Sequence, residues 1–135
     1  MTIKDTYFFD TYAIIEIIGG NMKYKPYTLA GIVVTKLNLF ELLYAITRLY
    51  NKEVATEYLN KYKQFAMDFD ENDIESAVEV KNSNKKLSMT DCIGYVVALR
   101  NNIKFLTGDR EFENMQNVEF VNISGKKSND KKEVM

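Results

Sequence analysis

The sequence predicts an α/β domain, a three-layer α/β/α sandwich around a mainly parallel sheet. Two observations predict it. Short runs of β-branched and aromatic residues alternate along the chain with longer helical patterns, as expected for strands joined by crossover helices. In residues 87–112, LSMTDCIGYVVALRNNIKFLTGDREF, a helix and a strand of matching length follow one another and leave a carboxylate at each outer end. About eleven helical residues rise roughly 16 Å and about five strand residues cover the same distance, so the chain returns to where it started. Asp91 at the helix start and Asp109 at the strand end then share the carboxyl edge of the sheet, where open α/β sheets bind ligands.

The elements follow in order. Thr6-Tyr7-Phe8-Phe9 reads as a first buried strand, and after Asp10-Thr11 a largely apolar helix runs from Tyr12 until Gly19-Gly20-Asn21 stops it. Asp10 therefore lies at a strand-to-helix junction, as an N-cap or as a further acid on the carboxyl edge. Residues 23–28, with the single proline Pro26, form a basic and aromatic connection or short helix. There Tyr24, Tyr27, Lys23 and Lys25 either contact nucleic acid or belong to a solvated linker. Residues 31–35 lack alternation, as in a strand buried on both faces.

Residues 37–50 form a helix whose apolar positions (Leu39, Phe40, Leu42, Leu43, Ala45, Ile46, Leu49) wrap most of its circumference. Glu41 sits inside that wrapping, and its helical neighbours Leu37, Asn38, Tyr44 and Ala45 offer no cation. A carboxylate near a core without a cation is costly, so Glu41 either points to solvent or meets positive charge from elsewhere, such as a metal ion. Residues 53–64 are a polar helix packing through Val54, Ala55, Tyr58, Leu59 and Tyr62, and residues 65–69 read as a short strand. Asp70 caps a helix carrying Ile74, Ala77 and Val78, and the loop over 82–86 brings Lys85 and Lys86 towards the acidic edge. Those two lysines either hold a phosphate backbone or are an ordinary solvated pair.

Ser88 caps the next helix with Asp91 in its first turn, where the helix dipole favours an acid. The strand ending at Gly108-Asp109 follows, and residues 118–121 make the last strand. One domain over residues 1–123 accounts for the pattern, and residues 124–135, with four lysines, read as a mobile charged tail.

Composition narrows the chemistry. The chain of 135 residues contains no histidine, which removes the Ser-His-Asp triad, Cys-His pairs, histidine-ligated zinc and two-histidine ribonuclease chemistry. Cys92 is the only cysteine, so there is neither an intrachain disulfide nor a cysteine zinc cluster. Hydrolytic chemistry is then expected to run on carboxylates, with a metal as the expected companion. Gathering Asp10, Glu41, Asp91 and Asp109 on one edge calls for a divalent cation, and all-oxygen ligation indicates Mg2+ or Mn2+. A net charge of −1 gives no general attraction for polyanions. No apolar run approaches the roughly 20 residues of a membrane span, and the first residues lack the shape of a signal peptide, so a cytoplasmic location is expected.

Phe9-Asp10-Thr11, then Asn38-Leu39-Phe40-Glu41-Leu42, then Leu87-Ser88-Met89-Thr90-Asp91, then Leu106-Thr107-Gly108-Asp109-Arg110-Glu111-Phe112 together resemble the PIN-domain nucleases. In its single-domain size the chain looks most like the VapC-type toxins of toxin–antitoxin pairs. The resemblance implies that Asp10, Glu41, Asp91 and Asp109 form a catalytic metal site, supported by Thr107 and, beside Asp10, by Thr11, with Glu111 as a lesser further acid. It implies a Mg2+- or Mn2+-dependent endoribonuclease, for which Lys85, Lys86 and Arg110 are the candidate RNA contacts by their position beside the acids. An antitoxin partner is also implied, with a homodimer through helix faces bearing Tyr44, Tyr50, Tyr58 and Tyr62, tyrosines that either form such a face or cover the core. The alternatives are a PIN nuclease of RNA maturation or decay without an antitoxin, and a catalytically idle PIN-like binding domain.

Overall fold

In the computed structural model, which describes residues 5–122, four parallel strands are ordered β2-β1-β3-β4. They are β1 (Thr6–Phe9), β2 (Gly31–Val33), β3 (Lys104–Thr107) and β4 (Val118–Phe120). Central β1 pairs Phe8 with Val33 on one side and with Phe105 on the other, and β3 pairs Leu106 with Glu119. The helices are α1 (Thr11–Ile18), α2 (Lys36–Leu49), α3 (Lys52–Tyr62), α4 (Glu71–Ser83) and α5 (Met89–Arg100).

Alternation along the two central strands sorts the helices into layers. Phe9 and Leu106 enter one core with Ala13 and Ile14 of α1, Leu39, Leu42 and Ile46 of α2, and Ala55 and Tyr62 of α3. Phe8 and Phe105 face the opposite side and pack with Ala77 of α4 and residues Cys92, Ile93 and Val97 of α5. This is the expected three-layer sandwich. Among the described residues no helix is long and apolar enough to cross a membrane.

Helix α5 lies closest to the sheet at Gly94. A Cβ there would stand 2.6 Å from Phe8 Cε1 and 3.2 Å from Phe105 Cε1, and both rings are fully buried and stacked with centroids 5.5 Å apart. Gly94→Ala is therefore expected to cost about 1–3 kcal/mol by overpacking, more than the roughly 1 kcal/mol that alanine gains in helix propensity. Thermal unfolding followed by circular dichroism checks this; an unchanged or raised Tm contradicts so close an approach. On its outer side α5 is tied to α4 by Arg100, whose guanidinium donates to both Asp73 carboxylate oxygens at 2.8 and 2.9 Å. The same Asp73 accepts the Asp70 backbone N–H that opens α4.

Several sequence expectations are corrected. The strand expected over 65–69 is reduced to one bridge, Val34 with Ala66, flanked by two backbone hydrogen bonds. The chain there turns through a 3-10 helix (Lys63–Phe65), and Asp70 already starts α4, which leaves no length for a ladder. Strand β2 is half-buried rather than enclosed, because it takes the outer place beside β1, and Thr35 leaves the strand to cap α2. Helix α2 buries one stripe only: Phe40, Tyr44 and Leu49 are exposed. On α4, Ile74 and Val78 are likewise exposed, and the helix packs through Asp73 and Ala77.

Neither reading of residues 23–28, nucleic-acid contact or solvated linker, holds at Tyr24. A 3-10 helix (Met22–Tyr27) turns its ring fully into the core, and Tyr27 packs on Tyr7 and donates to Glu119 Oε2 at 2.6 Å. Tyr62, read both as part of the packing stripe of residues 53–64 and as a dimer-face tyrosine, is core, and Tyr58 packs against the same core. The expected tail, 124–135, lies outside the described residues.

Candidate active site

Parallel strands deliver their following residues to one edge, and three of the four expected acids arrive there through helix or turn starts. Asp10 ends β1 and caps α1, accepting the Ala13 N–H at 2.7 Å on Oδ1. Its other oxygen accepts the hydroxyl of Thr107, the last residue of the neighbouring strand β3. Asp109 follows β3 by two residues; its N–H donates to Thr107 Oγ1 at 3.0 Å, and its Oδ1 accepts the Glu111 N–H at 2.9 Å. Thr107 thus links Asp10 and Asp109 from beneath. Asp91 lies in the first turn of α5, exchanging hydrogen bonds with Ser88: its N–H donates to Ser88 Oγ at 3.0 Å and its Oδ2 accepts the Ser88 N–H at 3.4 Å.

Glu41 comes from α2, and Thr11 Oγ1 donates to its Oε1 at 2.7 Å. The donor direction of that bond is fixed by a chain behind it. Thr35 donates its N–H and its hydroxyl to Asn38 Oδ1, both at 2.9 Å, so that the Asn38 amide nitrogen donates to Thr11 Oγ1 at 3.2 Å. With its oxygen already accepting, Thr11 turns its hydrogen to Glu41. Thr35 and Asn38 are fully buried, so the carboxylate is held by a rigid polar relay. Thr11 was expected beside Asp10; it serves Glu41 instead.

The four acids line one cleft of about 600 Å3, together with Thr11, Tyr12, Ser88, Gly108 and Arg110. Asp10 forms its floor at 3% exposure. Burial, augmented by the charges of Asp91 and Asp109 and opposed by its two hydrogen bonds, pushes its pKa up to about 8. Burial also raises the Asp91 pKa, with Glu41 and Asp109 adding to it against the Ser88 hydrogen bonds. The cleft is a place where negative charges repel one another and no histidine is present to relieve them.

Among the described residues, no three acids stand close enough to form a ready-made cation cage. The donor set, carboxylate oxygens on the walls of one cleft, nonetheless fits the chemistry of a hard divalent ion such as Mg2+, which binds through one or two carboxylates and keeps several of its waters.

The remaining expected residues divide. Arg110 lines the acid cleft. The side chain of Glu111 does not line it; with Asn84, Lys85, Lys86 and Leu87 it borders a separate hollow of about 280 Å3. Sequence reasoning assigned no role to Thr35, Asn38, Tyr12 or Gly108. In Thr35-Lys36-Leu37-Asn38 the i, i+3 capping spacing ahead of an apolar helix is the one sequence signal for the relay. Gly108 carried no signal: a Cβ there would lie 2.8 Å from Tyr24 Oη and 2.9 Å from Tyr12 Cε1.

The sequence model of the PIN domain matches residues 7–118. A comparison with curated proteins gives no significant match. Among solved structures, one described as a toxin–antitoxin complex from Klebsiella pneumoniae is similar with a TM-score of 0.68 and 17% identity, over 84% of this chain and 95% of that one. A second, described as VapBC2 from Rickettsia felis bound to a DNA fragment from their promoter, is similar with a TM-score of 0.65 and 17% identity, over 85% and 96%. At such identities the likeness concerns the fold.

Proposed function

From the premise that the chain belongs to the PIN domain family, we propose that it is a Mg2+- or Mn2+-dependent endoribonuclease that hydrolyses RNA phosphodiester bonds. We further propose that it is the toxin of a type II toxin–antitoxin pair. The observation that carries the nuclease reading is the convergence of Asp10, Glu41, Asp91 and Asp109 on one cleft at the carboxyl edge, with Asp10 buried beneath it. The toxin reading is supported by the fold shared with the Klebsiella pneumoniae and Rickettsia felis structures.

Asp10, Asp91 and Asp109 would hold the metal, with Glu41 completing the set. When bound, the ion supplies a lowered water pKa and neutralises charge on the phosphate. The chain's own residues do the rest. Thr107 fixes Asp10, and Ser88 fixes Asp91. Thr11 occupies Glu41 Oε1, which leaves the other oxygen to accept a hydrogen bond from the attacking water and orient it. Arg110, at the cleft wall, meets the phosphate backbone. An antitoxin would cover this cleft, offering a cationic side chain to the acids, and a homodimer would use the exposed Tyr44 and Tyr50.

Water as nucleophile leaves a 5′-phosphate and a 3′-hydroxyl. The test is cleavage of total cellular RNA, transfer RNA included, by the purified chain in Mg2+ or Mn2+ against EDTA, with end-group analysis of the products. Metal-dependent cleavage with 5′-phosphate ends is expected. Products ending in 2′,3′-cyclic phosphate would overturn the mechanism.

A further inference from the structure

The acid cleft has one aromatic wall. Tyr12 lies two residues after Asp10 on α1, is 37% exposed and lines the cleft with the four acids. Its ring is fixed from two directions. On one edge it abuts the backbone of Gly108, where any side chain would displace it. At its other end the hydroxyl interacts with the Glu16 carboxylate one helical turn on, which itself accepts from Asn21 Nδ2 at 2.8 Å. With its hydroxyl turned to Glu16, what Tyr12 offers the cleft is aromatic surface. The rest of the lining is carboxylate, hydroxyl, backbone and the Arg110 guanidinium, groups suited to a metal-bound phosphodiester rather than to an apolar ligand.

A flat ring held beside a phosphodiester site matches one partner chemistry, a nucleobase attached to that phosphate. We propose that Tyr12 is the base-stacking subsite of the cleft, taking the base of a nucleotide next to the scissile phosphate, while Arg110 contacts the neighbouring backbone. This rests on the nuclease reading given above. A base that stacks on Tyr12 must leave its own helix stack, so the subsite selects RNA with unpaired nucleotides at the cut over continuous duplex.

The proposal is tested by steady-state cleavage of a single-stranded oligoribonucleotide by the wild type, Tyr12→Ala and Tyr12→Phe, with the same sequence in duplex form as comparison. The expected result is a KM raised about tenfold in Tyr12→Ala with kcat within about twofold, near wild-type values in Tyr12→Phe, and poor cleavage of the duplex. A second measurement does not need turnover. Fluorescence of an oligonucleotide with 2-aminopurine at the cut is expected to be quenched on binding to Asp91→Asn in Mg2+, and not on binding to Asp91→Asn with Tyr12→Ala. An unchanged KM in Tyr12→Ala, equal losses in both Tyr12 variants, efficient duplex cleavage, or quenching that survives Tyr12→Ala would each overturn the subsite while leaving the nuclease standing. A wild type that cuts no RNA in either metal overturns the nuclease reading, and the quenching comparison then decides the subsite by itself.

Discussion

Asp10→Asn is expected to abolish cleavage, by about 100-fold or more, while raising the stability of the metal-free chain at pH 8. The two effects have one cause. Asp10 is buried at the floor of the cleft with a pKa of about 8, so its negative charge exists at working pH only at a cost that a bound cation offsets. Asparagine carries no charge and loses the cation. Its Oδ1 still accepts the Ala13 N–H, but its amide now points donors at Thr107 Oγ1, where the carboxylate accepted the hydroxyl. That mismatch costs about 1 kcal/mol, less than the relief from removing a buried, repelled charge. Activity assays in Mg2+ and Mn2+ beside thermal unfolding in EDTA check both halves. A variant that melts well below the wild type at pH 8 would show that Asp10 holds the fold rather than the ion.

In the wild type without metal, stability is expected to fall as pH rises from about 4 to 8, and added Mg2+ or Mn2+ should restore it most strongly at the alkaline end. A carboxyl whose pKa is raised by folding binds more protons folded than unfolded. Its contribution is intact below the unfolded value of 3.8 and is lost as pH climbs towards the folded value of about 8. Asp91 shifts in the same direction and adds to the loss. Asp73 has the opposite sign: its hydrogen bonds with Arg100 hold its pKa below 3.8, so that contribution is kept above this pH and lost below it. From these three groups the metal-free chain is most stable on the acid side of neutrality.

Protons and the cation compete for the same oxygens. At a metal concentration about 100 times Kd, binding adds about 2.7 kcal/mol, which corresponds to roughly 10 °C in Tm for a domain of this size. The increment should shrink towards pH 5 and vanish in Asp10→Asn. Differential scanning calorimetry across pH, with EDTA and with each metal, measures it; a Tm gain equal at pH 5 and pH 8 would sink the linkage.

Much of this was legible in the sequence, for physical reasons tied to particular residues. The absence of histidine removes every hydrolytic scheme built on an imidazole, whatever the fold, and directs attention to the carboxylates. The matched lengths of the helix and strand between Ser88 and Asp109 bring their acids to one edge, because rise per residue is a property of the backbone. Phe8-Phe9 and Phe105-Leu106 divide between two cores because strand side chains alternate, and that division alone requires helices on both faces.

What tertiary structure decided depends on which distant groups meet. Thr11 donates to Glu41 across 30 residues, and Thr107 donates to Asp10 across 97. No local pattern encodes such pairs, since each forms only when separate elements pack at a particular height and rotation. Thr11 therefore looked like a neighbour of Asp10, and Asn38 carried no sign of orienting a carboxylate. Tyr24 and Tyr12 make the same point. Both are tyrosines near the chain start, and the path of the 3-10 helix turns Tyr24 into the core, while α1 leaves Tyr12 at the cleft. Periodicity, chain length and residue chemistry determined the sheet, its layers and the acids; the packing of elements remote in sequence determined how those acids are held and what stands beside them.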